Sequence, residues 1–409
     1  MIHYAWIIAC TGTLVVLGAH GFGRMSYSLI LPAMRDGLGL TYTQVGLIGT
    51  GNFIGYLFLA LLGGFLASRF GVRRLVFVSL LLMGVSLFAT GLSNSFFSAF
   101  MMRLITGLGN GGAYVPIMAL PAAWFAARKR GLATGIMPVG SGLGLTITGL
   151  ILPPLMAAYG PMGWKYAWFV LGCAVFCLAF VSYALLRDDP SEKGLTMYGG
   201  EEPRKTTAKL TILSAWKELW REREVWKLGI VYFMYGFSYI IYLTFFVVYL
   251  TREIGVSLGL AGAILALLGF IAISSGIVWG VISDAVGRRY GSMLAYITLA
   301  VAYLIPPFWQ SVPGLYLSAI LFGLSMSSLP VIMAAAVGDA VGGRLAPAGL
   351  GFITVFFGIG QALGPACAGM IKDATGSFAN AFILAGAISL AGAAISLCMR
   401  KRVSIKDSL

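Results

Sequence analysis

The chain has 409 residues, 59% of them hydrophobic and 10% charged, with a formal net charge of +14. A soluble globular domain carries roughly a quarter charged residues, and the alternating strands of a membrane barrel are absent, so both classes are excluded. Apolar runs of about 20 residues recur from end to end, enough to cross a ~30 Å hydrocarbon core as helices.

Twelve spans are predicted, near 4–31, 42–67, 74–92, 97–122, 131–157, 164–186, 226–250, 258–283, 290–308, 313–338, 347–370 and 378–399. The first has no basic leader segment and no small-residue cleavage site behind it, so it reads as a transmembrane helix rather than a signal peptide. It contains "GAHGFGRMSYSLILP", where His20 and Arg24 are the only Lys, Arg, His, Asp or Glu between Ala5 and Leu31; Tyr27 follows one turn on. The second span carries Asn52 in "GNFIGYL" and ends in "GGFLASRFGVRRL", with Ser68, Arg69, Gly71, Arg73 and Arg74. The fourth holds Arg103, Asn110 and Tyr114 among Gly107, Gly109 and Gly111. In the fifth, Gly140, Gly142, Gly144 and Gly149 permit close helix packing.

A long connection follows, roughly 187–225, with "RDDPSEKG" and "GGEEPRKTT" reading as charged linker. Near its end, "TILSAWKELWRERE" puts Ile212, Trp216, Leu219 and Trp220 on one helical face, with Lys217, Glu218 and Arg221 largely opposite. That pattern suits a helix lying in the cytoplasmic membrane interface, or a solvated linker helix. The seventh span shows Tyr232, Tyr235, Tyr239 and Tyr242 at i, i+3, i+7 and i+10, one continuous stripe. The eighth ends in "GVISDAVGRRY", with Asp284, Arg288 and Arg289, and the eleventh holds Gln361. Five cysteines, all within spans, suggest packing rather than a disulfide framework or a metal site.

Of the 28 Lys and Arg residues, only Arg35, Lys165, Arg252 and Lys372 fall on the side opposite the termini, and Arg24 and Arg103 lie within spans. By the positive-inside rule both termini are expected in the cytoplasm. The basic charge is then a topology signal, and no nucleic-acid partner is expected. Gly64, Ser68, Gly71 and Arg73 correspond to Gly280, Asp284, Gly287 and Arg289, each 216 positions on, as do Arg128 to Arg344, Gly135 to Gly351 and Gly160 to Gly376. The expected organisation is a six-helix bundle over 1–186, a cytoplasmic linker with its amphipathic helix over 187–225, and a second six-helix bundle with a short tail over 226–409. Parallel repeats of this kind build several secondary transporters.

The pattern G-x-x-x-D-x-x-G-R-R, complete around Asp284 and with Ser68 in place of the acid in the first copy, resembles the signature loop of the major facilitator superfamily. Arg103 with its glycines resembles that family's fourth-span motif, and "GIGQALGPACAG" with "DATGSF" its eleventh span and following loop. "HYAWIIA" and "RKRGLATG" look like the monocarboxylate-porter and oxalate/formate-exchanger branches, whereas "GFGRMSYSLILPAM" with Asn52 looks like the bacterial YbfB/YjiJ branch. The resemblance implies twelve transmembrane helices in two pseudo-symmetric halves that rock about a central cavity, in a bacterial inner membrane. It also implies gating contacts from Arg69, Arg73, Arg74, Asp284, Arg288 and Arg289, which otherwise serve only topology. The eighth and eleventh spans lack the cations of the monocarboxylate porters, so those binding residues do not carry over.

Arg24 lies about 10 Å inside the membrane at 1.5 Å per residue, and Arg103 at a similar depth. A mid-membrane arginine costs at least ~2.5–3.5 kcal/mol on insertion scales, and two near ~10 Å apart repel by about 1.7 kcal/mol at an effective dielectric of 20. An anionic substrate would relieve that charge, and a guanidinium grips a carboxylate or phosphate in two places. Against this, Arg24 reaching the headgroups or Asn52 and Arg103 bonding backbone carbonyls stay open. His20, whose unperturbed pKa is near 6.5, is the candidate for proton coupling, or else a packing histidine. Tyr27, Asn52, Asn110, Tyr114, Tyr235, Tyr239, Tyr242 and Gln361 are candidate polar lining for the substrate.

The expectation is a monomeric secondary transporter of a small organic anion, with a monocarboxylate and proton symport as its finer form. Efflux of neutral or amphipathic compounds is the alternative. No catalytic set, metal site, cofactor or nucleotide-binding loop is expected.

Overall fold

The computed structural model describes residues 3–200 and 212–400. Its long helices are α1 (Tyr4–Leu38), α2 (Tyr42–Phe70), α3 (Val72–Gly91), α4 (Phe96–Ala119), α5 (Lys129–Ala158) and α6 (Gly160–Leu185). After the linker come α7 (Arg223–Arg252), α8 (Leu258–Val286), α9 (Arg288–Phe308), α10 (Val312–Gly342), α11 (Leu345–Thr375) and α12 (Ala379–Ser396). Among the described residues, eleven of these are long and apolar enough to cross a membrane. The exception is α4, a 24-residue helix in which Arg103, Asn110 and Gly107, Gly109, Gly111 and Gly112 dilute an otherwise apolar sequence.

Local chemistry sets the helix ends. Thr41 and Gln44 form a reciprocal capping box at the start of α2, and Ser95 and Ser98 do the same for α4, each satisfying backbone donors that the first turn leaves unpaired. The repeat is visible in the backbone. Gly71 (φ 83°, ψ 149°) and Gly287 (φ 88°, ψ 153°) turn the chain between α2 and α3 and between α8 and α9 in the same conformation, in a region that side-chain-bearing residues rarely enter.

Three boundaries differ from expectation. The first span runs on to Leu38 and is not one α-helix: residues Leu17–Met25 are π-helical, between α-helical Tyr4–Val16 and Tyr27–Leu38. Hydrophobic periodicity carries no sign of such a segment, because it depends on which neighbours take up the displaced carbonyls. Gly342, at φ 73°, separates α10 from α11. The fifth span begins at Lys129 and is interrupted by a turn at Met137 and Pro138.

The chain forms two compact units. One comprises Met1–Lys205 with Leu243–Ile273, the other Thr206–Tyr242 with Ser274–Leu409, so the divisions fall inside α7 and α8. In the first unit, α2 and α4 interlock. A Cβ at Gly107 would strike the Asn52 carbonyl, and one at Gly55 the Leu104 carbonyl, so both glycines are required by the closeness of the backbones. Likewise α1 and α5 meet Cα to Cα at Gly21 and Gly144. In the second unit, Gly360 and Gly364 of α11 sit against the Phe233 and Phe237 carbonyls of α7. There the buried Tyr296 hydroxyl of α9 donates to the Val231 carbonyl.

The linker helix forms over Ile212–Arg221. Leu219 is buried, whereas Trp220 is 61% exposed and meets Trp226 edge-on at 4.7 Å. The Ile212 and Trp216 side chains, residues 201–211 and the tail 401–409 lie outside the described residues.

Candidate functional site

The π-helical turn of α1 carries His20 and Arg24, both buried. A π-helix hydrogen-bonds from i+5 rather than i+4, as Ser26 N does to the Gly21 carbonyl at 3.1 Å. Arg24 Nη1 lies 3.2 Å from His20 Nε2. Arginine can only donate, so the imidazole accepts at Nε2 and carries its proton on Nδ1. The Arg24 guanidinium lies over the rings of Phe53 (4.4 Å) and Tyr56 (5.2 Å) of α2, a cation–π arrangement. His20 meets Tyr114 of α4 edge-on, with ring centroids 4.0 Å apart. One cation, one imidazole and three aromatic rings thus share one spot inside the first unit.

Arg103, Asn110, Asn52 and Tyr27 lie close in the fold but bond to backbone. Arg103 Nη1 donates to the Gly23 carbonyl at 2.7 Å, and its guanidinium lies about 5 Å from the Tyr27 and Trp168 rings. Asn110 Nδ2 donates to the Ala19 carbonyl at 2.7 Å. Asn52 Nδ2 donates to the Arg103 carbonyl at 3.1 Å, and the Tyr27 hydroxyl to the Val45 carbonyl at 2.8 Å. Phe53 and Tyr56 carry no signal in the sequence, although they follow Asn52 in "GNFIGYL"; aromatic residues one and four places past Asn52 look like ordinary span filling.

In the second unit, the tyrosine stripe of α7 is a near-parallel stack. Tyr232, Tyr235 and Tyr239 follow one another at centroid distances of 6.2 and 4.8 Å, with Phe357 of α11 against Tyr232 at 4.5 Å. Tyr235 donates to the Met326 carbonyl, and Gln361 Nε2 lies 2.6 Å from the Tyr239 hydroxyl. Tyr242 leaves the stack, packs on Phe322 at 4.4 Å and bonds Ser318, which donates to the Ala302 carbonyl.

The two signature loops are built differently. In the second unit, Arg288 bonds Asp284 at 2.6 Å and Asp339 at 3.3 Å and donates to Ser283 Oγ, tying α8, α9 and α10 together. Arg289 lies over Tyr290. In the first unit the corresponding residues are Ser68, Val72 and Ala123, none charged. Ser68 bonds the Phe65 carbonyl, Arg69 lies over Phe70, and Arg74 is exposed. Arg73 donates through Nε to the Tyr183 carbonyl and lies over the Tyr183 ring. The acid here comes from "RDDPSEKG": Asp188 Oδ1 accepts from the Arg73 backbone N–H at 2.7 Å, capping α3. Such a cap contributes about 1 kcal/mol. Asp188→Ala is therefore expected to lower stability by about that amount in thermal melts of the detergent-solubilised protein.

A family model described as "Uncharacterised MFS-type transporter YbfB" matches residues 16–397. The chain belongs to this family of MFS-type transporters. It is a multi-pass membrane protein that transports, not an enzyme. The family member is 26% identical to the "Probable sulfoacetate transporter SauU" of Cupriavidus necator over 93% of its own length and 91% of that protein. It is also 26% identical to the "Hexuronate transporter" of Bacillus subtilis (strain 168), over 90% and 88%. Its fold is similar to that of a bacterial homolog of the human lysosomal transporter Spinster, whose structure was solved in the inward-facing, unoccupied conformation. The TM-score is 0.78 at 16% identity, covering 98% of this chain and 96% of that one.

Proposed function

We propose that this transporter carries a small organic anion and that Arg24 is the group that holds it. The observation carrying the proposal is the buried guanidinium of α1, set among His20, Phe53, Tyr56 and Tyr114. The buried charged side chains of this unit, among the described residues, are Arg24 and Arg103, both cationic. Arg103 Nη1 bonds a main-chain carbonyl, that of Gly23, whereas Arg24 Nη1 meets a side chain, His20, which an incoming carboxylate can displace, so the carboxylate is assigned to Arg24. The names of the relatives, with sulfoacetate and hexuronate as cargo, support the anion class.

The finer reading is a monocarboxylate moved by alternating access in a bacterial inner membrane, by a monomer, with a proton carried alongside. His20 supports the coupling: its Nε2 cannot both accept from Arg24 and bind a proton. Protonation of His20 and the Arg24–His20 bond are then mutually exclusive, so an anion that draws Arg24 away opens Nε2 to a proton. Tyr114 and Tyr56 wall the anion, while Tyr239 and Gln361 are the polar candidates of the second unit. Arg288 with Asp284 and Asp339, and Arg69, Arg73, Arg74 and Arg289, are assigned to gating.

Uptake of labelled small carboxylates into proteoliposomes tests this, with pH gradients of both signs. Saturable uptake accelerated by inward-directed protons is the expected result. Transport of none of the carboxylates, with neutral amphipathic compounds moving instead, overturns the anion reading.

A further inference from the structure

A nine-residue π-helical run in mid-span is costly, because π geometry is ordinarily confined to single turns. Something outside α1 has to hold Leu17–Met25 in that form. Two side chains of α4 supply the hold. Asn110 Nδ2 donates to the Ala19 carbonyl and Arg103 Nη1 to the Gly23 carbonyl, each at 2.7 Å. Asn110 is fully buried and Arg103 1% exposed. Asn110 Oδ1 and Arg103 Nε have no hydrogen-bond partner among the described residues. Each side chain therefore makes its bond to this segment at the cost of leaving another polar atom unpaired.

The register explains why one anchor is short and the other long. Asn110 and Arg103 are seven positions apart on α4, about 10.5 Å along an α-helix, whereas Ala19 and Gly23 are four apart, at most about 6 Å. The helices run antiparallel at this contact, and the longer arginine makes up the difference of at least about 4.5 Å. The segment also packs closely on its other neighbours: Gly21 rests on Gly144 of α5, and a Cβ at Gly23 would lie 2.6 Å from Met83 Sδ of α3. Asn52 holds the Arg103 carbonyl from α2, which steadies the anchoring helix in turn.

We infer that Asn110 and Arg103 are positioning residues that hold the π-helical segment of α1 and so present Arg24 and His20, and that neither contacts the transported anion. The presentation half of this inference rests on the anion reading above; the anchoring half does not.

Two measurements separate them. The first is amide hydrogen exchange over residues 17–27 in the purified wild type, Asn110→Leu and Arg103→Met. Removing one partner of a buried hydrogen bond is expected to speed exchange there about tenfold, with α9 and α12 unchanged. Unchanged exchange in the segment overturns the anchoring, whatever happens to transport. The second is a double-mutant cycle on uptake, using Arg24→Gln, Asn110→Leu and the double variant. If Asn110 acts through Arg24, Asn110→Leu lowers kcat/KM about tenfold in the wild-type background and less than twofold in Arg24→Gln. Additive losses overturn positioning and make Asn110 a separate ligand. Normal transport by Arg24→Gln overturns the presentation half together with the anion reading, while the exchange result still decides the anchoring. Asn110→Gln, which keeps a donor, restores part of the loss if positioning is the role, and that restoration is absent if the side chain only fills space.

Discussion

Arg24→Gln is expected to lower kcat/KM for the transported anion by about a hundredfold. Hydrogen bonds to charged groups are worth about 1.5–3 kcal/mol, and a guanidinium makes two in parallel with a carboxylate. Glutamine keeps a donor but loses the charge and the fork. The fold should survive the change. Arg24 is only 6% exposed, and removing a buried cation removes its desolvation cost, so the melting temperature is expected to stay level or rise. Arg24→Lys separates charge from shape. It keeps the charge but loses the planar face that lies over Phe53 and Tyr56, and a loss of about tenfold is expected. Initial rates of labelled carboxylate uptake into proteoliposomes check all three proteins. Wild-type rates from Arg24→Gln would show that the cation holds no substrate.

Gly144→Val is the change expected to damage the fold most. A Cβ at Gly144 would fall on the Gly21 Cα, and one at Gly21 would lie 2.6 Å from the Gly144 Cα. Both obstacles are backbone, so no side chain can swing aside. Overpacking that rotamer changes relieve typically costs 1–3 kcal/mol, and here α1 would have to move as a whole. A loss above about 3 kcal/mol is expected, seen as a collapsed monodisperse peak and an early melt in detergent. Gly135 is the control: among the described residues, no atom beyond its chain neighbours and the adjoining helix backbone lies within 4 Å of a Cβ there. In the helix Ala127–Ile136, Gly135→Ala is expected to be neutral or stabilising by up to about 1 kcal/mol. If Gly144→Val melts like wild type, α1 and α5 do not meet where the structure puts them.

Much of the architecture is legible in composition and spacing, because a bilayer leaves few ways to satisfy a backbone. Lipid offers no hydrogen bonds, so apolar runs of about 20 residues must be helices. Two loops of the same pattern 216 positions apart then declare a repeat, and Gly71 and Gly287 share its backbone turn. The candidate site was legible by a different signal. Arg24 and His20 stand out because charge and imidazole are expensive in hydrocarbon, and their spacing of four places them together, as the 3.2 Å contact bears out.

What residue type and spacing do not reveal is which polar groups are consumed by the protein itself. Arg103 and Arg24 look alike in the sequence, yet Arg103 bonds the Gly23 carbonyl 80 positions away while Arg24 meets the His20 side chain one turn back. Asn110, Asn52 and Tyr27 are likewise engaged with backbone from other helices. The acid missing at Ser68 gives no hint that Asp188, beyond the sixth span, caps α3 instead. The sequence by itself determined the class, the order and approximate positions of the spans, the repeat and the family motifs, since the class and spans follow from transfer free energies and the rest from residue spacing. The π-helical turn of α1, the partners of its carbonyls and the different partners of the two buried arginines were decided by tertiary structure alone. Each depends on helices distant in sequence approaching closely enough to exchange hydrogen bonds.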